Sequence, residues 1–161
     1  MSEPSGQGRR ETPEERADRN WTDLLQELRV SQTGVQLLAA FLVTLPFQSR
    51  FTELDDFQQR WYLGLLALAF LTVGVTLAPV AIHRQVFQGG AKPRLVRAAH
   101  VLTELALGLI ALLLAGIAFL VVDVVLDRTA ATLASGVSLL VLLVLLVAVP
   151  HLVSRGATHT T

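Results

Sequence analysis

Four long apolar stretches dominate the chain, and each is long enough to cross a membrane as a helix. They cover residues 28–47, 61–82, 98–122 and 133–152. The hydrocarbon core of a bilayer requires about 20 consecutive apolar residues per helix, and a soluble domain of this size has no means of burying four such segments. The pattern therefore predicts an integral membrane protein of the all-α class. The short polar links between the stretches favour antiparallel neighbours in a four-helix bundle.

A different pattern precedes the first apolar stretch. Thr12, Pro13 and Glu15 form a capping box with proline at the first helical position. Apolar residues then recur at helical spacing along one face (Ala17, Trp21, Leu24, Leu25 and Leu28). We expect an amphipathic cytoplasmic helix over residues 12–27 that runs into the first span, or alternatively uses its apolar face to pair with another helix. The polar tails, residues 1–11 and 153–161, are expected to be disordered.

Composition and charge agree with this assignment and orient the chain. Hydrophobic residues make up 52% of the sequence and charged residues 16%, whereas soluble domains average about 25% charged residues. Of the 13 Lys and Arg residues, all but Arg50, Arg60 and Arg128 fall on the side that holds both termini and the middle loop. Because basic residues accumulate on the cytoplasmic side, both termini are predicted to be cytoplasmic. Trp61 and Tyr62 open the second span, where interfacial aromatic residues are expected.

One acidic residue interrupts the third apolar stretch. Glu104 lies about 9 Å below the cytoplasmic surface at 1.5 Å per residue if the helix enters the membrane at Ala98. An ionised carboxylate facing lipid at the bilayer centre costs about 2.5–3.5 kcal/mol, so we expect Glu104 to face the bundle, to have a partner or to be protonated. Small residues continue along the same helical face (Gly108, Ala111, Ala115 and Ala118), a pattern that lets another helix approach closely.

The first span is the expected partner of this face, because its polar and small residues also share one side (Arg29, Thr33, Gln36, Ala40 and Thr44). The sequence thus defines a candidate intramembrane polar cluster: Glu104, His100, Gln36, Arg29 and Arg97. In a structural interpretation, Arg29 and Gln36 hold Glu104 and determine the helix register. In a functional one, a desolvated Glu104 beside His100 binds and releases a proton or cation. We favour the structural interpretation, because the outer half of the membrane offers few polar residues to continue a pathway (Thr44, Thr72, Thr76 and Asp123).

Motifs for catalysis, metal binding or cofactor binding are not found in the sequence. His83, His100 and His151 come from three different helices without a ligand-spacing pattern, so positions at helix ends explain them better than a zinc site does. The absence of cysteine excludes disulfides and thiol chemistry. The net charge of zero gives no indication of nucleic-acid binding. We therefore expect no enzymatic activity, no cofactor, no bound metal and no nucleic-acid partner.

Several segments together resemble a known family: ELRV (27–30), GVQLLAAFLVTLPFQSRF (34–51), DFQQRWYLGLL (56–66) and APVAIHRQVF (78–87). They are similar to a domain-of-unknown-function family of small four-span membrane proteins from high-GC bacteria. The resemblance covers about residues 20–125 and is strongest in the first two spans. Some members carry the label sodium:proton antiporter, so the resemblance implies membrane insertion and that label, with no established site residues.

Two functions follow as expectations. The first is a structural or accessory component of the bacterial inner membrane, in contact with the lipid bilayer and associated with further copies of itself or with another membrane protein. The alternative is a small proton-coupled cation transporter that uses Glu104. Transporters of the antiporter class usually contain internal repeats and carboxylates near the midplane, and this sequence has one shallow glutamate and no evident repeat. The first function is therefore the one we favour.

Overall fold

The computed structural model of the chain describes residues 12–86 and 92–148, and these are helical almost throughout. The elements are α1 (Pro13–Thr44), two 3₁₀ segments (Leu45–Phe47 and Ser49–Glu53), α2 (Asp56–Val86), α3 (Lys92–Val125), α4 (Arg128–Leu143) and a π-helical turn (Val144–Ala148) that extends α4. Within these two ranges, four segments are long and apolar enough to cross a membrane: Arg29–Phe47, Asp56–Pro79, Val101–Val125 and Arg128–Ala148. The all-α class and the four apolar helices predicted from the sequence are confirmed. The predicted tails, residues 1–11 and 153–161, lie outside the described residues.

The first helix joins the amphipathic segment and the first span in one element. It begins at Pro13, where the capping box predicts a start. At 1.5 Å per residue its 32 residues extend over about 48 Å, which exceeds the roughly 30 Å thickness of bilayer hydrocarbon. Part of α1 therefore projects beyond the membrane when its apolar segment, Arg29–Phe47, spans it.

The end of α1 explains an unexpected role for Tyr62. Pro46 has no backbone N–H, so the Leu42 carbonyl lacks the donor that an uninterrupted helix would supply. The Tyr62 hydroxyl donates to that carbonyl at 3.0 Å, and Tyr62 is only 2% exposed. Tyr62 is consequently a core residue and does not present its ring to lipid as an aromatic-belt residue does.

Consecutive helices pack against each other: α1 on α2, α2 on α3, and α3 on α4, whereas α1 and α3 touch only marginally. The core is formed by apolar side chains of the first three helices. Its buried members are Val35, Ala39 and Leu42 from α1, Tyr62, Leu65 and Ala69 from α2, and Leu113 and Leu120 from α3. The order of contacts places α2 and α3 in the interior of the bundle and α1 and α4 on its flanks.

The small-residue face of α3 receives α4, and not α1 as the sequence suggested. Ala111 and Ala115 are buried, and at 3.6 residues per turn they lie on the side of α3 opposite the core residue Leu113. Only Leu126 and Asp127 separate α3 from α4. Because so short a connection forces the two helices into a hairpin, α4 occupies this face. Its remaining sides carry exposed Leu and Val residues, as expected for a helix that faces lipid.

Candidate functional site

Two helix-to-helix connections at one end of the bundle bring four polar side chains together. These are Asp55, Gln58, Asp123 and Arg128, which we call the turn cluster. Its first two members start α2 by reciprocal capping: the Gln58 backbone N–H donates to Asp55 Oδ1 at 2.7 Å, and the Asp55 N–H donates to Gln58 Oε1 at 3.1 Å. Asp127 caps α4 similarly, since its Oδ1 accepts from two backbone N–H groups at 2.8 and 2.9 Å. The caps determine where both helices begin.

Asp123 is the buried charge of the turn cluster. Its side chain is 3% exposed, and both carboxylate oxygens accept hydrogen bonds. Gln58 Nε2 donates to Oδ2 at 3.0 Å, while Arg128 donates from Nε to Oδ1 and from Nη2 to Oδ2, each at 3.3 Å. The two bonds from one guanidinium form a bidentate pair. A carboxylate at this depth is therefore compensated within the chain.

Arg128 links the cluster across three helices. Its Nη2 also donates to Asp55 Oδ2 at 3.1 Å, so one guanidinium contacts carboxylates at the start of α2 and near the end of α3. The same group lies 4.0 Å from the centroid of the Phe57 ring, within the range of a cation–π interaction. Phe57 in turn stacks on Trp61 at a centroid distance of 5.9 Å. The turn cluster is thus attached to an aromatic layer that extends towards the core.

Hydrogen bonding shifts the titration of one member of the cluster. The bond from the Gln58 backbone N–H, followed by the charge of Arg128, holds the pKa of the Asp55 carboxyl below its ordinary value. Partial desolvation raises that pKa but does not outweigh these two effects. Asp55 is consequently ionised at neutral pH, as its ion pair with Arg128 requires.

The hydrogen bonds and ion pairs of the turn cluster connect helix ends to one another. The two carboxylates of the cluster, Asp55 and Asp123, share one guanidinium, and the Gln58 amide uses both its oxygen and its nitrogen. In the part of the chain that the structure describes, no three His, Cys, Asp or Glu side chains are grouped to hold a metal ion. The cluster thus joins the ends of α2, α3 and α4 without offering a vacant coordination site.

The polar cluster predicted from the sequence lies towards the end of the bundle opposite the turn cluster. Glu104 is exposed on α3 and falls within the third apolar segment, Val101–Val125. Because α3 and α4 form an antiparallel hairpin, it lies at about the level of the last described residues of α4. Arg97 and His100 belong to the first turns of α3, and their side chains, like those of His83 and His151, lie outside the described part of the structure.

The two α1 residues of the polar cluster predicted from the sequence face outwards. Arg29 and Gln36 are both exposed, as are the other residues of their face, Thr33, Ala40 and Thr44. The buried face of α1 is instead formed by the residues that enter the core. Gln36 has no hydrogen-bond partner among the residues that the structure describes, so one chain by itself does not join it to Glu104. The joining of these residues stays a prediction.

Sequence reasoning missed the turn cluster because it assigned Asp123 and Arg128 to a loop. The apolar pattern predicts that the third span ends at residue 122, whereas α3 continues to Val125. A usable signal was present: Asp127 precedes Arg-Thr-Ala-Ala, and aspartate before a helix-forming run is typical of an N-cap. That cap shortens the connection to two residues and places Asp123 and Arg128 on either side of it.

Comparison with known proteins gives a family and nothing more specific. No curated protein and no solved structure matches the chain. Residues 10–150 match a family of unknown function, DUF6328, and this match includes all four apolar helices and the turn cluster. Because the match covers most of the sequence, the protein with this four-helix arrangement belongs to the DUF6328 family of unknown function.

Proposed function

We propose that the chain is a non-enzymatic structural or accessory component of the bacterial inner membrane, with both termini in the cytoplasm, and that it assembles with a second copy of itself through α1. The surface involved is the exposed polar face of α1, formed by Arg29, Thr33, Gln36, Ala40 and Thr44. The distribution of basic residues supports the orientation. The small four-span family that the sequence resembles is bacterial, which supports the choice of membrane.

The position of Gln36 carries the proposal. At 1.5 Å per residue it lies about 10 Å beyond Arg29, where the first apolar segment begins, and its side chain is exposed. In a bilayer the surroundings at that depth are lipid, where an amide without a hydrogen-bond partner costs several kcal/mol. A second α1 in contact with this face supplies a partner for Gln36, and Ala40 lets the two helices approach closely.

The size of the expected effect follows from measured helix–helix hydrogen bonds. Such bonds contribute about 0.6–2 kcal/mol in membranes. Replacing Gln36 with leucine therefore weakens self-association by roughly three- to thirty-fold. The apolar replacement leaves membrane insertion intact, because it removes polarity from an apolar segment.

Cysteine cross-linking tests the surface directly, because the natural sequence has no cysteine. Ala40→Cys, at the centre of the proposed face and with Gln36 retained, is expected to form disulfide dimers in oxidised membranes. Phe41→Cys is the matched control, since Phe41 is also exposed, at 63%, but points about 100° away from the centre of the face on a helical wheel. Equal cross-linking of the two variants, or none at Ala40→Cys together with a monomeric mass in detergent, refutes assembly through this face.

A proton-coupled cation transporter is the second candidate, supported by the carboxylate of Glu104 within the third apolar segment and by the antiporter label of the resembled family. The buried polar side chains in the described part of the bundle argue against it. Thr72 and Thr76 donate to carbonyls of their own helix at 2.7 and 2.9 Å, and Asp123 is paired with Arg128. These groups are engaged in structural contacts and do not line a polar route.

Transport is tested in vesicles that contain a pH-sensitive dye. A transporter gives cation-driven proton movement that is lost in Glu104→Gln, while Glu53→Gln, an exposed glutamate outside the apolar segments, retains it. Absence of proton movement with the natural sequence, over sodium and potassium gradients of either direction, excludes this candidate.

A further inference from the structure

We propose that a groove between α2 and α3 binds one phospholipid, with its phosphate on Arg60 and one acyl chain along the groove. The groove has a volume of about 450 Å³. Its lining includes Arg60, Trp61, Gly64, Leu68, Leu112 and Gly116. The charged residue of the groove, Arg60, therefore lies near the start of α2, and the rest of the lining is apolar or aromatic.

Arg60 is suited to hold a phosphate. It is exposed, and its Nε donates to the Asp56 carbonyl at 3.0 Å, which directs the side chain towards the start of α2 and the membrane surface. Within the described part of the chain, Arg60 has no carboxylate at ion-pair distance. In this respect it differs from Arg50 and Arg128, which are paired with Glu53 and with Asp55 and Asp123. Its charge is available to an anionic group at headgroup level.

The lining of the groove suits an acyl chain. Along α2 it extends from Phe57 to Leu68, about 17 Å at 1.5 Å per residue. Apart from Arg60, the residues that line it are apolar or aromatic. A single hydrocarbon chain can therefore follow the groove with its anionic end at Arg60.

The depth of the groove also matches one leaflet of a bilayer. Leu68 lies about 12 Å along α2 from Arg60, and half of the bilayer hydrocarbon is about 15 Å. Gly64 leaves the groove open, because a Cβ atom there would have no other atom within 4 Å. Gly116 forms its closed side, because a Cβ atom there would lie 2.5 Å from Leu65 Cδ2. A lipid with its phosphate at Arg60 thus has room for an acyl chain down to the membrane centre.

Native mass spectrometry of the full chain in dodecyl maltoside tests this site, with dipalmitoyl phosphatidylglycerol as the probe. The natural sequence is expected to bind one lipid more tightly than all later ones. Arg60→Gln weakens the first binding step about five-fold, the effect of one basic residue at a membrane surface. Arg50→Gln removes a charge at the same end of the bundle and leaves that step unchanged. Dipalmitoylglycerol, which has the same chains without phosphate, binds at least five-fold more weakly.

A second pair of variants tests the acyl chain. Gly64→Leu fills the groove and weakens the first step about ten-fold, as displacement of roughly two methylenes from apolar contact predicts. Gly74→Leu is the control, because Gly74 also has open space at its Cβ position but does not line the groove. Circular dichroism verifies that each variant is folded. Binding of many equivalent lipids, equal losses in Arg60→Gln and Arg50→Gln, equal losses at the two glycines, or equal affinity for dipalmitoylglycerol each overturns the proposal.

Discussion

Replacing Arg128 with glutamine removes the cation that compensates the buried carboxylate of Asp123. That carboxylate keeps one hydrogen bond, from Gln58 Nε2 at 3.0 Å, but loses the bidentate pair at 3.3 Å. Because the Asp123 side chain is 3% exposed, water does not replace the lost donors easily. We expect the free energy of unfolding of the variant to be clearly smaller than that of the natural sequence.

The magnitude follows from the contacts of the guanidinium. Hydrogen bonds to charged groups contribute about 1.5–3 kcal/mol, and the lower part of that range applies because Arg128 is 49% exposed. The stacking on Phe57 adds about 0.5–1 kcal/mol. Opposing these, a cation at the start of α4 is unfavourable to the helix dipole by about 0.3–1 kcal/mol. The net destabilisation expected for Arg128→Gln is therefore about 2 kcal/mol.

Titration from dodecyl maltoside into dodecyl sulfate, followed by circular dichroism, measures this free energy. Combining Arg128→Gln with Asp123→Asn should cost at least about 1 kcal/mol less than the sum of the two single changes, because no charge is then left buried. Arg50→Gln is the matched control: its ion pair with Glu53 is 84% and 63% exposed and contributes at most about 0.5 kcal/mol. Additive losses in the double variant, or equal losses in Arg128→Gln and Arg50→Gln, would refute the reasoning.

Three further predictions concern packing, hydrogen bonding and pH. Gly116→Ala should destabilise the bundle by about 1–2 kcal/mol, because its new methyl group displaces Leu65; Gly108→Ala, with open space around it, should be neutral or slightly stabilising in the same titration. Tyr62→Phe should cost about 1 kcal/mol, since it leaves the α1 carbonyl before Pro46 without a donor; an unchanged stability would show that this bond does not contribute. The pKa of Asp55 is lower in the folded protein, so its stabilising effect is complete above the ordinary carboxyl pKa of about 3.9 and is lost as the pH falls through the lower folded-state pKa. Asp55→Asn should remove that part of the acid sensitivity in unfolding measured from pH 6 downwards, and a pH profile identical to that of the natural sequence would contradict this assignment.

The polar residues of the turn cluster and those on α1 differ in whether their partners lie within the same chain. At the turn cluster, the charges of Asp55, Asp123 and Arg128 are compensated by one another and hold helix ends in place. On α1, Gln36 and its neighbours are directed away from the core. The first arrangement is complete within one chain, and the second becomes favourable in lipid when another helix covers it. This contrast is why we propose assembly through α1 and a structural role for the turn cluster.

The sequence by itself determined the all-α class of the protein and its four apolar helices. Four apolar runs of membrane-crossing length leave the chain no alternative to helices, because backbone groups in hydrocarbon must be hydrogen-bonded within their own segment. The start of α1 at Pro13 was also predictable, since a capping box acts through residues that are neighbours in sequence. These features depend on local chemistry and on length alone.

Only the tertiary structure decided which helices meet and which polar residues are joined. The small-residue face of α3 is compatible with any partner, and the two-residue connection after Val125 selects α4. Asp123 and Asp55 are far apart in sequence and become partners of Arg128 because two helix caps bring their turns together. Tyr62 resembles an interfacial residue by sequence, but the structure buries it and places its hydroxyl on the carbonyl that Pro46 leaves without a backbone donor. Such contacts depend on the register and packing of the helices. The pattern of apolar and polar residues along the sequence does not specify these for each residue.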